Sequence, residues 1–250
     1  MDLEQCIRHR FDRALAAYRL IEDGDHILVG VSGGKDSLCL LEQLARRSRI
    51  FHPSFRVTAL HVRMENVSYE TDTQYLQEFC DGLGVELRIV TGRFDQPRGH
   101  GRPKPPCFLC SWARRKQLFN LAQEMGCNKI ALGHHQDDLI HTALMNLIYT
   151  GHFSTMPVRL QLRKMPLAII RPLCLQAEAD LKAYAALHRY PQQLKRCPYE
   201  HQTNRTAVRG FFTEMESLNA DARRSIWNAL ECSGKLIEEG KRLMRLCRPE

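Results

Sequence analysis

The segment from residue 27 to residue 44 constrains the fold more than any other part of the chain. An apolar, β-branched run, Ile-Leu-Val-Gly-Val, leads into Ser-Gly-Gly-Lys-Asp-Ser at 32–37, and a helical apolar period follows directly. This pattern predicts a strand, a tight turn and a helix N-terminus. Backbone N–H groups in such a turn attract an anion together with the helix dipole, and two adjacent glycines let the backbone approach that anion closely. We therefore expect a phosphate-binding loop.

The side chains of this loop indicate a nucleotide with a divalent cation. Hydroxyl and ammonium groups suit phosphate oxygens, and the aspartate carboxylate suits Mg²⁺. The residues assigned to this site are Ser32, Gly33, Gly34, Lys35, Asp36 and Ser37. Their spacing fits neither the Walker loop nor the dinucleotide fingerprint. The segment resembles the PP-loop of the N-type ATP pyrophosphatases, which implies cleavage of ATP to AMP and pyrophosphate. An ordinary glycine-rich turn is the alternative interpretation.

Strand and helix patterns alternate along the rest of the chain. Predicted strands lie at 27–31, 55–62, 85–90, 129–133 and 165–170, and predicted helices at 3–21, 36–47, 70–82, 108–125, 137–149 and 177–188. This alternation implies a Rossmann-like α/β fold, a parallel sheet with helices on both faces. Ligands bind beyond the carboxyl ends of such strands, so the loops after strands one, two and four should converge.

The chain is expected to have three parts. An N-terminal helix occupies 1–24, and a PP-loop ATP pyrophosphatase domain with a cysteine site occupies 25–205. Residues 206–247 look wholly helical and basic, so 206–250 is expected to be a basic helical extension.

A second polar constellation follows the fourth predicted strand, in the sequence Gly-His-His-Gln-Asp-Asp at 133–138. Carboxylates in a first helical turn are favoured by the dipole, and two of them opposite a phosphate loop suit a Mg²⁺ contact or positioning of ATP. The residues assigned to the nucleotide site here are Gly133, His134, Asp137 and Asp138, together with His61 near the end of the second strand. A simple helix cap is the alternative.

Two cysteines, Cys107 and Cys110, stand at the predicted start of a helix. At this spacing both sulfurs can face one metal, and the dipole with Arg114 and Arg115 favours the thiolates. The pair by itself fits a redox dithiol, half of a zinc site or part of an iron–sulfur site. A third thiol is available at Cys197. The cysteines that look like small buried hydrophobes are Cys39, Cys80 and Cys127.

Several separated motifs between residues 25 and 210 resemble the TtcA-type tRNA thiolases. They are the 133–142 segment, Met-Asn-Leu and Gly151 up to Met156-Pro157, and Arg171-Pro-Leu with Glu178 and Asp180. One position departs, because the family's glutamate is His141 here. The resemblance implies that ATP adenylates the C2 oxygen of a pyrimidine, cytidine in the anticodon loop, and that sulfur replaces this oxygen. It also implies a [4Fe–4S] cluster held by Cys107, Cys110 and Cys197, with these cysteines and Asp36 as catalytic residues.

The net charge of +8 indicates a polyanionic partner, and the resemblance makes this partner tRNA. The expected contacts are the Arg98–Lys104 loop and the helices after residue 206. Other expected partners are a cysteine desulfurase or another sulfide or persulfide donor, with a homodimer as one possible assembly. Apolar stretches fall short of the ~20 residues of a membrane span, and no secretory signal is visible, so we expect a cytoplasmic protein without a membrane partner.

Other functions and ligands remain open at this point. The function could be TtuA-like synthesis of 2-thiouridine, ligation through adenylation as in lysidine synthetase, or non-catalytic binding of tRNA or metal. The cysteines could hold zinc, completed by His100 or His201, or no metal at all.

Overall fold

The computed structural model describes residues 2–67, 71–95, 105–192 and 204–239. The helices are α1 Leu3–Ala17, α2 Lys35–Ser48, α3 Thr73–Leu83, α4 Pro106–Glu124, α5 Gln136–Thr150, α6 Glu178–Leu187, α7 Asn204–Leu218 and α8 Ala222–Cys232. The strands are β1 His26–Gly30, β2 Arg56–Met64, β3 Glu86–Gly92, β4 Lys129–Ala131, β5 Arg159–Gln161, β6 Ala168–Ile170 and β7 Ile237–Glu238. Each predicted strand and helix is confirmed, with shifts of a few residues at its ends.

The strands form one sheet in the order β3-β2-β1-β4-β6-β5-β7. The first five strands in this order are parallel, and Val29 of β1 lies between Ala59 of β2 and Ala131 of β4. The strands up to β3 are added on one side of β1, and β4 is added on its other side. The direction in which the chain builds the sheet therefore reverses between β1 and β4. Such a switch point opens a crevice at the carboxyl ends of the two strands, where α/β sheets bind their ligands. The predicted Rossmann-like fold is confirmed.

Two short strands were not predicted. β5 pairs antiparallel with β6, Arg159 opposite Ile170, so the sheet is mostly rather than wholly parallel. β7 pairs with β5, so the expectation that 206–247 is wholly helical is wrong. Strands of two or three residues are too short to show an alternating pattern. They are defined by tertiary hydrogen bonds such as that from Val158 N–H to the Leu236 carbonyl, 2.7 Å.

Hydrophobic cores lie on both faces of the sheet. Ile27 and Val29 of β1 point into the larger core, and Leu28 between them points into the smaller one. In the smaller core Leu118 and Ala122 of α4 pack on the strands. One side of α4 is therefore buried against the sheet, which leaves its opposite side facing outward.

Both ends of the described chain contribute to the larger core. Phe11 of α1, Phe212 of α7 and Trp227 of α8 are all buried there. The division into 1–24, 25–205 and 206–250 stays a prediction about folding units. No helix within the described ranges is both long and apolar enough to span a membrane.

Candidate functional site

The phosphate loop leaves β1 and is tied to the sheet and to itself. The N–H of Val31 donates to the carbonyl of Leu60 on β2, 2.8 Å. Gly33 has φ +83°, a left-handed conformation that favours glycine. The Ser37 hydroxyl donates to the Gly34 carbonyl at 2.8 Å and accepts the Ser32 N–H at 3.2 Å. The loop is thus held in one turn at the start of α2, where the helix dipole favours an anion.

The charged side chains of the loop form a small network with α6. The Lys35 ammonium lies 2.9 Å from both carboxylate oxygens of Asp36 and 3.9 Å from Glu178. Burial acts to raise the pKa of Glu178, but Arg209 and Lys182 hold that pKa below its usual value. Glu178 had no role in the sequence-based prediction of the nucleotide site, although it belongs to a matching motif. A lysine between two carboxylates can exchange one of them for a phosphate.

Gly133, the first residue of the polar segment after β4, packs directly against the phosphate loop. A Cβ atom at this position would lie 3.1 Å from the carbonyl carbon of Asp36 and 3.2 Å from the nitrogen of Ser37. Ordinary van der Waals contact begins at 3.4 Å, so a larger residue would require the phosphate loop to shift by a few tenths of an ångström. The two segments that the sequence placed on separate loops therefore lie against each other.

His61 lies beneath the loop as a buried residue of β2. Its Nδ1 atom is 2.8 Å from the carbonyl oxygen of Val31. Burial lowers the pKa of the imidazole, outweighing the hydrogen bond to Val31. A neutral ring at this position supports the end of β1, which is where the loop begins.

The two adjacent aspartates at the start of α5 have different surroundings. The Asp137 carboxylate accepts the Glu178 N–H and the Arg223 guanidinium, both at 2.8 Å. Burial acts to raise the pKa of Asp137, but hydrogen bonds from His135, Arg223 and Glu178 hold it well below its usual range. Asp138 accepts the His135 N–H at 3.2 Å and is more exposed, 23% against 10% for the side chain of Asp137. Asp137 is therefore an ionised structural link, and Asp138 is the better placed for a ligand.

His135 lies between these carboxylates. Its ring nitrogens are 3.6 Å from Asp137 and 3.5 Å from Asp138. Burial by itself would lower the pKa of His135, but the neighbouring carboxylates, including Asp36, raise it overall. The sequence-based assignment included His134, which is half-buried, and did not include His135.

His141, the position at which the sequence departs from the family motif, faces the C-terminal helices. Its ring packs edge-on against Phe212 with centroids 5.4 Å apart, and the Arg223 guanidinium lies 5.1 Å from the same phenyl ring. Burial lowers the pKa of His141. Arg223 of α8 thus contacts Phe212 of α7 and also pairs with Asp137 of α5. No local sequence pattern indicated this link.

Cys107 and Cys110 lie in the first turn of α4, as predicted, and Cys107 is exposed while Cys110 is half-buried. Two thiols on one turn at a helix N-terminus fit an iron–sulfur cluster or zinc as shared ligands. Burial raises the pKa of Cys80 and of Cys127 to about 11, which makes them poor ligands. Cys197 lies outside the described residues.

The same holds for the other predicted residues of this region: His100, His201 and the Arg98–Lys104 loop. Among the residues that the structure does describe, no group of three or more His, Cys, Asp or Glu side chains could hold a metal. The three-cysteine site and its choice of metal stay predictions.

Known proteins resemble this chain over most of its length. Residues 3–231 match the PP-loop domain family ATP_bind_3. The tRNA-cytidine(32) 2-sulfurtransferase of Dechloromonas aromatica is 33% identical over 92% of this chain and 80% of its own length. The enzyme of the same name from Sorangium cellulosum is 34% identical over 92% of this chain and 82% of its own length.

Among solved structures, the U34-tRNA thiolase NcsA from Methanococcus maripaludis, determined with its [4Fe–4S] cluster, superposes with a TM-score of 0.74. It is 23% identical and the match covers 92% of this chain and 78% of that one, a likeness that supports the fold. The geometry of the phosphate loop and the switch point of the sheet are consistent with the family that the sequence matches indicate. The chain belongs to the PP-loop family and, within it, to the tRNA-cytidine(32) 2-sulfurtransferases.

Proposed function

We propose that this protein is a cytoplasmic, ATP-dependent tRNA thiolase that replaces the C2 oxygen of a cytidine in the anticodon loop with sulfur. The observation that carries this proposal is the approach of Gly133 to the backbone of Asp36 and Ser37 at 3.1–3.2 Å. This approach supports a single nucleotide site formed by the phosphate loop and the polar segment after β4. The relatives named as tRNA-cytidine(32) 2-sulfurtransferases supply the substrate and the target base.

The phosphate loop binds the triphosphate of ATP in this proposal. Backbone N–H groups at the start of α2 and nearby hydroxyls surround the phosphates, as expected for a helix N-terminus. The residues are Ser32, Gly33, Gly34 and Ser37. Lys35 moves from Asp36 to the departing pyrophosphate, which frees the Asp36 carboxylate, the group that would hold Mg²⁺. The Lys35 ammonium and the Asp36 carboxylate are 2.9 Å apart, so this exchange takes place within the phosphate loop itself.

The segment after β4 completes the site. Gly133 provides the space for the loop, while His134 and Asp138 would contact the nucleotide and hold its metal ion. Asp137 acts through its contacts with Arg223 and Glu178, whose distances of 2.8 Å fix the start of α5. His61 supports the loop from the sheet.

The reaction then has two steps. The C2 oxygen of the pyrimidine attacks the α-phosphorus of ATP, a new O–P bond forms, and the bond to pyrophosphate breaks. A sulfur nucleophile next adds to C2, and AMP leaves with the original oxygen. Adenylation is needed because the C2 oxygen is otherwise a poor leaving group. Lys35 neutralises charge on the departing pyrophosphate, and Asp36 would hold a Mg²⁺ ion that supplies further positive charge when bound.

Cys107, Cys110 and Cys197 would hold a [4Fe–4S] cluster, which when bound supplies an open iron for an incoming sulfide. The described pair fits this assignment, since both thiols lie on one turn of α4 and one of them is exposed. A cysteine desulfurase, or another sulfide or persulfide donor, provides the sulfur. The active form could be a homodimer.

The test is thiolation by anaerobically purified protein. The protein, with its iron and sulfide measured, is incubated with unmodified tRNA, MgATP and sulfide, and the nucleosides are analysed by mass spectrometry. We expect 2-thiocytidine and equal amounts of AMP and pyrophosphate. The Asp36→Asn and Cys110→Ser variants should lose at least 90% of the product, an order-of-magnitude expectation for loss of a metal or cluster ligand.

Cys232→Ser is the matched control, because Cys232 is also exposed but lies at the end of α8. It should keep full activity. Formation of 2-thiouridine in place of 2-thiocytidine would refute the assigned base. Full activity of iron-free protein would refute the cluster, and AMP formation without any thiolated product would refute the thiolase function.

A further inference from the structure

The outward side of α4 carries two large aromatic side chains. Phe108 is 47% exposed and Trp112 is 55% exposed within the described structure. The two residues are four apart on one helix, so their side chains are neighbours on the same face. Leu109 and Ala113, about 100° further round the helix, are buried. Large aromatics that stay exposed side by side on a helix indicate a binding surface.

The same face is positively charged. Arg115 and Lys116 are exposed, and the Lys116 ammonium lies 5.6 Å from the centre of the Trp112 ring. Neither cation forms an ion pair with a carboxylate of the described residues. The sequence of α4 contains no acidic residue before Glu124. The face therefore combines flat apolar rings with cations that are available to an anionic partner.

The position of this face relates it to the predicted sulfur site. Cys107 and Cys110 lie in the first turn of the same helix. An α-helix rises 1.5 Å per residue, so Trp112 is only about 3 Å further along the axis than Cys110. Each residue of a helix turns about 100°, so Trp112 and Cys110 lie at nearly the same level of α4 but on different sides of it.

We propose that Phe108 and Trp112 form a stacking surface for unpaired bases of the RNA loop that contains the target nucleotide, with Arg115 and Lys116 on the adjacent phosphates. This inference rests on the proposed function, which makes RNA the substrate. Unpaired loop bases are recognised by stacking on aromatic rings, and cations beside the rings neutralise the backbone. The charge of the face favours RNA over a second apolar protein surface.

The test compares RNA binding by matched aromatic variants. The probe is a fluorescently labelled hairpin RNA with unpaired pyrimidines in its loop, and a fully paired duplex serves as the reference RNA. Trp112→Ala should weaken hairpin binding about tenfold, within the range of alanine substitutions at stacked bases, and should leave duplex binding within about twofold. Trp112→Phe should retain most of the affinity. Lys116→Ala should make the affinity for the hairpin less dependent on salt concentration, by an amount that corresponds to roughly one phosphate contact.

Phe51→Ala is the control, because Phe51 is 82% exposed but lies in the turn before β2, away from α4. It should bind and thiolate RNA as the wild type does. Tryptophan fluorescence gives a direct signal, since the chain has only two tryptophans and Trp227 is buried. Hairpin RNA should quench the exposed Trp112, and the quenching should disappear in Trp112→Phe.

The outcomes separate this inference from the proposed function. Unchanged hairpin affinity in Trp112→Ala, in a protein whose wild type thiolates RNA, would overturn the stacking surface and leave the function intact. A wild type that neither binds nor thiolates RNA would refute the function itself. A change in self-association of Trp112→Ala, with RNA binding unaffected, would make the face a contact between protein copies and refute the proposal.

Discussion

Gly133→Ala tests the contact between the two segments that are proposed to bind the nucleotide, because it adds one methyl group and changes no polar atom. The new Cβ would lie 3.1 Å from the Asp36 carbonyl carbon and 3.2 Å from its oxygen and from the Ser37 nitrogen. The φ of Gly133 is not positive, so alanine can adopt the backbone conformation. The cost therefore comes from the contact, which requires the loop to retreat by a few tenths of an ångström.

We expect two effects of this retreat. Overpacking of this kind costs about 1–3 kcal/mol of the free energy of unfolding, which lowers Tm by roughly 2–10 °C in a chain of this size. The retreating atoms belong to the loop that would bind ATP. A small misplacement of positioning groups has a large effect on reaction, so the affinity for MgATP and the rate of AMP formation should each fall about tenfold.

The assay pairs calorimetric titration of MgATP with thermal unfolding. Gly82→Ala is the matched control: Gly82 lies within α3, and a Cβ there would meet nothing within 4 Å. This substitution should raise the stability by about 0.5–1 kcal/mol, because alanine is the better helix former, and should leave MgATP binding unchanged. Wild-type Tm and MgATP affinity in Gly133→Ala would refute the close contact and remove the main support for a shared site.

Three further predictions concern charge. Arg223→Met should cost about 2–3 kcal/mol, because it removes the arginine that neutralises the buried Asp137 carboxylate; urea unfolding should show this loss, and adding Asp137→Asn should recover most of it. Lys35→Met should weaken MgATP binding about tenfold or more, as loss of a charged contact to phosphate implies, with Tm nearly unchanged since the Lys35 side chain is 25% exposed; a large loss of stability would contradict this. Burial lowers the pKa of His26 from 6.5. Below pH 6.5 the unfolded state therefore binds a proton that the folded state does not, and the free energy of unfolding falls as the pH falls towards the folded-state pKa. The unfolding free energy should therefore decrease with acidification less steeply in His26→Gln than in the wild type, and equal slopes would contradict the assignment.

The sequence predicted the parts of the site that depend on local order. The strand before residue 32, the turn at Gly33 and the carboxylates at the start of α5 each follow from a pattern of a few adjacent residues. The links between these parts could not be predicted in this way. Arg223 reaches Asp137 across 86 positions of the chain, and Glu178 approaches Lys35 only because α6 returns to the phosphate loop. Such contacts depend on the packed tertiary structure.

The C-terminal helices show why composition alone does not reveal which charged side chains are available to a partner. Arg223 and Arg224 are adjacent and look equivalent in a basic segment. The Arg223 side chain is 25% exposed and pairs with Asp137 and Glu216, whereas Arg224 is 73% exposed. Arg209 of α7 likewise pairs with Glu178.

Within 206–239, part of the positive charge is therefore neutralised by carboxylates beside the nucleotide site. These arginines hold α7 and α8 against α5 and α6, and they contribute little potential to an approaching RNA. The exposed cations of α4, Arg115 and Lys116, have no such carboxylate partner in the described structure. The charge that we propose attracts RNA and the charge that holds Asp137 in place thus lie on different helices, so neutralising Lys116 should alter the salt dependence of RNA binding while neutralising Arg223 should alter stability.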